Sequence, residues 1–379
     1  MYNKAMDNYK IITEYFEDIE TVKEYDGYYY RISEILTIVI LGSICGLKNS
    51  QQIHQWAKKD RVRELLREEF RIYRIPCYYW FTCILKIITP ESLNKCFENW
   101  VNSVMPEKAD KLTISLDGKT IRSTNGMKKY DSPLHIISAQ ISELGLTLAQ
   151  NTVDGKSNEI PAVRELLKEL NIKGALVTAD ALNCQKDTAE IIVNQKADYL
   201  LSVKDNHHNL KKDIEDFVQD KQLQGTMQST SKVEKNRDRI ETRTSYVTHD
   251  LNWLPQKDEW KNLCCIGAIN KKVSTENGET NEWYYYISSR LLSPEKLLHH
   301  ARMEWSVETM HWLLDVHFDE DHCRAQDKNE QLNLNIARKC AINLIKLFKS
   351  EKHSKKPISN IMLDCLIDER DLLQIVDRN

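Results

Sequence analysis

The sequence predicts an α/β protein: a mixed sheet with helices on its faces, preceded by an all-helical N-terminal region and interrupted by a β-rich insertion. Three observations carry this. Residues 30–105 repeat their apolar side chains at helical spacing. From residue 112 the spacing switches to alternation, and the elements follow as β-β-β-α-β-α-β, an order that describes a mixed sheet covered by helices. Residues 204–285 then break the rhythm with polar sequence and strand-like runs, before helical spacing returns at 294.

In chain order, Ser33 is placed to cap a helix through Ile35–Leu41, which Gly42 and Gly46 weaken. SQQIHQWAKKDRVRELLREEF follows as one or two amphipathic helices, and Arg61, Arg63, Arg67, Arg71 and Arg74 make this region basic. In TISLDGKTIRST (113–124), Leu112, Ile114 and Leu116 alternate with Thr113, Ser115 and Asp117. Asp117 is therefore expected on the polar face at the strand's last position, with Gly118 turning the chain away. LHIISAQI (134–141) and LTLAQNTV (146–153) are joined by only four residues, which implies an antiparallel hairpin. Asn158 is expected to cap EIPAVRELLKEL. GALVTADAL holds a strand buried on both faces that ends at Asp180. A helix around Gln185–Gln195 leads into the strand DYLLSV, and a charged helix (207–218) opens the insertion. There QDKQLQGTMQSTSKVEKNRD is polar, while IETRTSYVT, LCCIGAI and WYYYISS are strand-like. Residues 294–318 are expected to form one helix, and the chain ends in a basic tail.

At 379 residues the chain has room for more than one domain, and its formal net charge of -3 advertises no nucleic-acid partner globally. The ten cysteines form no C-x-x-C pair, as expected of a reduced cytoplasmic protein. The apolar run from Ile35 to Leu47 is too short to cross a bilayer, so no membrane role is expected.

The chemistry is carried by acids. Around Asp117 a phosphate-cradling P-loop would need Gly where Thr113 stands, and an aspartyl-phosphate phosphatase would carry a second Asp where Ser115 stands. A metal-binding carboxylate and a turn-forming Asp-Gly remain. In the helix 294–318, Met303, Val307, Met310 and Leu314 make one apolar stripe, and Leu298, Ala301, Trp305 and Trp312 a second. Glu304, Glu308, His311 and Asp315 form an acidic row between them, and the wheel does not say which glutamate matters. Like charges one turn apart oppose each other, and a cation or a solvated face relieves them. Two strand-end aspartates and a helix glutamate, without Cys or His spacing, suit a hard ion such as Mg²⁺ or Mn²⁺.

LDGKTIRS, LHIISAQ, VDGKSNEIPAVRELL, GALVTADALNCQKDTAEII, ADYLLSVKDNH, RIETR, YYYISS and WSVETMHWLLDVHFDEDHCR, in that order, resemble the DDE transposases of the ISAs-type insertion sequences, the H-repeat-associated proteins. The likeness runs from about residue 25 to 348. It implies a ribonuclease-H-like catalytic domain with Asp117, Asp180 and Glu308 as catalytic and metal-holding acids, two Mg²⁺ (or Mn²⁺) ions, and DNA as partner. The DNA would be the terminal inverted repeats and the target, with the protein dimeric on the DNA ends. The expected activity is hydrolysis at the element ends followed by strand transfer. The rivals are a nuclease that cuts without joining and a DNA-binding relic. The expected divisions are a helical end-binding domain (1–108), the first catalytic part (109–205), the insertion (206–285), the second catalytic part (286–350) and a tail (351–379). Lys119, Arg122, Lys204, Asn206, Arg239, Arg243 and Arg302 are the expected DNA contacts, although Arg239, Glu241 and Arg243 equally suit an internal ion-pair ladder. Lys156 lies in the VDGKSNE loop, and the HFDEDHC segment with His317 and His322 is taken as a polar loop. The chain departs from the family's pattern at Glu304, where a histidine is usual, and at Thr309, where asparagine is usual.

Overall fold

The computed structural model describes residues 15–376 apart from 26–28, 105–111, 126–132, 154–158, 237–238, 277 and 305, and gives the backbone alone at 236, 306 and 307. Lys156 and the expected cap Asn158 lie outside the described residues.

The first described unit is helical: α1 (Ile32–Ile44), α2 (Ser50–Ala57), α3 (Asp60–Glu68), α4 (Tyr78–Ile87) and α5 (Pro90–Val104). Helix α1 is buried from Ile35 to Ile44, so apolar contacts on all sides carry it through Gly42. Its cap is Arg31 rather than Ser33, and the Arg31 backbone N–H donates to Glu34.

Among the described residues nine strands form one sheet: β1 (Thr113–Thr120), β2 (His135–Ile141), β3 (Leu146–Val153), β4 (Leu176–Ala179), β5 (Asp198–Val203), β6 (Gln228–Asn236), β7 (Arg239–Thr248), β8 (Cys265–Thr275) and β9 (Gly278–Ser288). Their spatial order is β3-β2-β1-β4-β5-β9-β8-β7-β6. Strands β1, β4 and β5 are parallel, while β2 and β3 pair antiparallel at one side. This 3-2-1-4-5 arrangement is a ribonuclease-H-like sheet. The insertion does not build a sheet of its own: β9 pairs with β5, and β8, β7 and β6 extend the same sheet outward. Strand β6 falls in the polar stretch, which carries no strand pattern. It is an edge strand, for which charged residues such as Lys232, Glu234 and Lys235 suit solvent and discourage further pairing.

Side chains on the parallel strands alternate between two apolar layers. Val177 and Leu201 share a core with Val163 and Leu166 of α6 (Glu159–Glu169) and Ile192 of α7 (Lys186–Asn194). Leu176 and Leu200 point the other way, onto Leu297, Leu298 and Ala301. Those three belong to the segment expected as one helix, which is two: Pro294–Glu304 and Ser306–Phe318. Between β5 and β6 lie α8 (His208–Gln219) and α9 (Lys221–Gln224); the split segment supplies α10 (Pro294–Glu304) and α11 (Ser306–Phe318). In β8, a Cβ on Gly267 would collide with Leu297, so glycine lets α10 lie directly on the inserted strands.

Helix α12 (Lys328–Glu351) is buried along most of its length and joins the helical unit to the sheet. Its Asn333 donates to the carbonyls of Leu85 and Ile88, and its Asn343 exchanges bonds with the Thr147 backbone. The expected tail instead forms α13 (Ile358–Ile367) and α14 (Glu369–Val376), with Met362, Cys365, Leu372 and Ile375 buried. Glu369 pairs with Arg61 of α3.

A carboxylate cluster at the strand ends

Register brings the two aspartates together. Leu116 of β1 sits beside Ala179 of β4 in a parallel pair, so the residues that follow, Asp117 within β1 and Asp180 just past the end of β4, come side by side. Strand β1 does not end at Asp117 but continues to Thr120 against β2. Gly118 therefore serves close approach rather than a turn: a Cβ there would stand 2.6 Å from His135 Nε2 and 2.7 Å from Glu159 Oε1, two side chains that pair over the strand. The polar face of β1 is also buried. Ser115 bonds Ser142 and Thr178, and Thr113 Oγ1 lies 2.9 Å from His300 Nδ1 beneath α10. Burial pushes the His300 imidazole down to about 4, with His299, Arg290 and Lys296 adding to the effect, so this layer holds a neutral ring.

Asp180 is fixed by its own loop, accepting from the Asn183 backbone at 3.2 Å and from Asn183 Nδ2 at 3.0 Å. That loop is braced by Asn206, whose Nδ2 donates to the Ala181 carbonyl at 2.6 Å, and by His207, 2.6 Å from the Cys184 carbonyl.

Helix α11 supplies the rest. His311 Nδ1 lies 3.3 Å from Asp117 Oδ2, and one turn later Asp315 accepts from Lys119 Nζ at 2.5 Å. The His311 and Asp315 end of the acidic row thus faces β1 rather than bulk solvent. Glu308, one turn before His311 and Trp312, is exposed. Trp312 is 56 % exposed, so it does not seal the row from water as a buried second stripe would. The side chain of Val307 and the whole of Trp305 lie outside the described residues.

Glu304, at the end of α10, ties the cluster together. Burial, with Asp180, Asp117 and Glu308 adding to it and Lys204 opposing, pushes its carboxyl up to about 8. One carboxyl thus senses all three acids, and near neutral pH it holds its proton. Among the described residues no three of His, Cys, Asp and Glu stand close enough to hold a metal ion as they are. The donor chemistry nevertheless fits a hard divalent cation: oxygen ligands with like charge crowded around them.

The expected DNA contacts divide in two. Arg122 is 82 % exposed, its guanidinium 3.7 Å from Asp321, and Lys204 is exposed beside the cluster. Arg239 and Arg302 are partly exposed at the rim of an ion-pair ladder, near Glu241 and Glu234 respectively. Arg243, by contrast, is buried, with Glu234 at 3.0 Å and Glu241 at 2.5 Å, so its donors are occupied and it is an internal rung of that ladder. Lys119 and Asn206 likewise hold protein partners. Sequence pattern does not mark Glu320, Asn183 or Arg338 as site residues. Their partners lie in distant segments, apart from Asn183, whose three-residue spacing from Asp180 was a usable signal. In the HFDEDHC segment, exposed His322 pairs with Asp319 at 2.7 Å. No described helix is long and apolar enough to cross a membrane.

Comparison with known proteins agrees on the family. The family described as "Transposase DDE domain" matches residues 108–344, and "DDE_Tnp_1-associated" matches residues 13–101. Escherichia coli K12 "H repeat-associated putative transposase YhhI" is 32% identical over 332 residues, 85% of this chain and 87% of that protein. "Putative transposase YncI" of Escherichia coli O157:H7 is 31% identical over 369 residues, 94% of this chain and 93% of that protein. A distant likeness at a TM-score of 0.48 and 11% identity, covering 96% of this chain and 79% of the other, is to the piggyBac transposase synaptic complex with hairpin DNA.

Proposed function

We propose, from the premise that this chain belongs to the DDE transposase family, that it cuts DNA at the ends of an insertion sequence and joins the freed ends to target DNA. The observation that carries this reading is the register that sets Asp117 beside Asp180, with α11, the helix that bears Glu308, lying across β1 through the His311–Asp117 contact.

Asp117, Asp180 and Glu308 would hold two Mg²⁺ or Mn²⁺ ions, which when bound activate water and neutralise the charge developing on phosphate. The chain's own work is placement. Asn183 orients the Asp180 carboxylate, His311 orients that of Asp117, and the buried polar face of β1 keeps the strand from shifting. Water attacks phosphorus in line; the P–O3′ bond breaks, leaving a 3′-hydroxyl on the element and a phosphate on the flank. That hydroxyl then attacks a target phosphodiester, forming one P–O3′ bond and releasing another. Both steps are displacements at phosphorus, so one positioned site serves both.

Exposed Arg122 and Lys204 are the best-placed phosphate contacts, with Arg239 and Arg302 adding positive surface from the insertion and α10. A homodimer that pairs two ends fits a reaction that joins both to one target. The test supplies full-length protein, the element's own ends, a target duplex and Mg²⁺, and compares wild type with Asp117→Ala, Asp180→Ala and Glu308→Ala. Joined products from wild type and none from the variants are expected. Cleavage without joined products would favour a nuclease, and end binding with no cleavage by any protein would favour a DNA-binding relic.

A further inference from the structure

We propose that Lys119 is a positioning residue that locks the catalytic strand to the helix bearing Glu308, and not a contact for DNA. This rests on the function proposed above. Lys119 lies two residues past Asp117 on β1 and therefore on the same face. Its side chain is only 12 % exposed, and Nζ donates to Asp315 at 2.5 Å and to Glu320 at 3.0 Å. Asp315 in turn lies four residues beyond His311, the neighbour of Asp117. Two residues of strand rise about 6.6 Å and four of helix about 6 Å, so the 117–311 and 119–315 pairs run in step along the two elements. Slipping α11 against β1 would break both at once.

Glu320 anchors the strut. It is fully buried, and its carboxylate also accepts from Asn335 Nδ2 at 2.8 Å and faces Arg338 at 3.4 Å. Arg338 donates onward to the Lys48 carbonyl at 2.9 Å, after α1. A continuous chain of polar contacts therefore runs from the helical unit to the catalytic strand. Turning Lys119 out to a phosphate would deprive buried Glu320 of a counter-charge, which is strongly unfavourable.

The test uses the full-length chain with Lys119→Gln, Asp315→Asn and the double variant, alongside wild type. Two quantities are read: end-binding affinity across a salt series, and the single-turnover cleavage rate at saturating protein. A strut predicts wild-type affinity and salt slope for all three variants. It predicts cleavage slowed about tenfold to a hundredfold by each single change, with the double no slower than the worse single. A salt slope reduced by about one for Lys119→Gln would mark a lost phosphate contact and overturn the proposal. So would additive losses or unaltered cleavage. If Lys119→Gln does not fold, Asp315→Asn decides: its side chain is 35 % exposed, and wild-type cleavage by that variant overturns the strut. A wild type that binds its ends but does not cleave them defeats the function proposed above instead, and the salt slope still decides between strut and phosphate contact.

Discussion

Gly118 illustrates how tightly single residues are set around the acids. The His135–Glu159 pair crosses the space a side chain would fill. Gly118→Ala is therefore expected to part that pair, cost about 1–3 kcal/mol as overpacking does, and disturb the neighbouring Asp117. Chemical denaturation read beside cleavage rate checks it, and unchanged stability would refute the clash. The sequence made Asp-Gly look like a turn because that is its commonest use. The pairing of β1 with β2 beyond Asp117 depends on the hairpin, which local pattern does not reveal. Glu304 is a comparable case. The helical wheel shows it as one of four polar residues, whereas the fold surrounds it with acids from three segments and leaves it holding a proton.

Among the elements, strands β1 to β5, β7, β8 and β9 were legible because alternation or a continuous apolar run marks them. Strand β6 was not, since an edge strand needs no apolar face, and nor was the break between α10 and α11, where the apolar stripes continue across the join. Helix α5 offers a test of how buried charge loads an element. Burial pushes the carboxyl of Glu98 up to about 7, Glu169 adds to the rise, and a bond from Asn94 opposes it. Its folded pKa is thus above its unfolded value, so the native state holds a proton the unfolded chain releases between about pH 4.5 and 7. Stability conferred by the protonated form falls as pH rises through that window, and the full cost is present above it. Glu98→Gln should accordingly raise the melting temperature at pH 8 and leave it near wild type at pH 4. An equal effect at both pH values would contradict the shift.

For the molecule as a whole, a helical unit, a central sheet and an insertion were each visible in the sequence, but their continuity was not. The four inserted strands lengthen the catalytic sheet, and α12 runs buried between the helical unit and β3, its Lys339 donating to Ser138 and Gln150. Such contacts link residues far apart in the chain, as do Lys119 with Glu320 and Arg338 with Lys48, and hydrophobic periodicity carries no record of them. The site proposed above draws Asp117, Asp180 and Glu308 from three separate segments, so its assembly would depend on the whole fold. The measurement that tests this most directly is Mn²⁺ uptake by the full-length chain on its element-end duplex, followed by electron paramagnetic resonance, for wild type and for Asp117→Ala, Asp180→Ala and Glu308→Ala. One shared site predicts Mn²⁺ binding by wild type that each substitution weakens at least tenfold. Equal Mn²⁺ binding by all four proteins would show that the three acids do not act as one site.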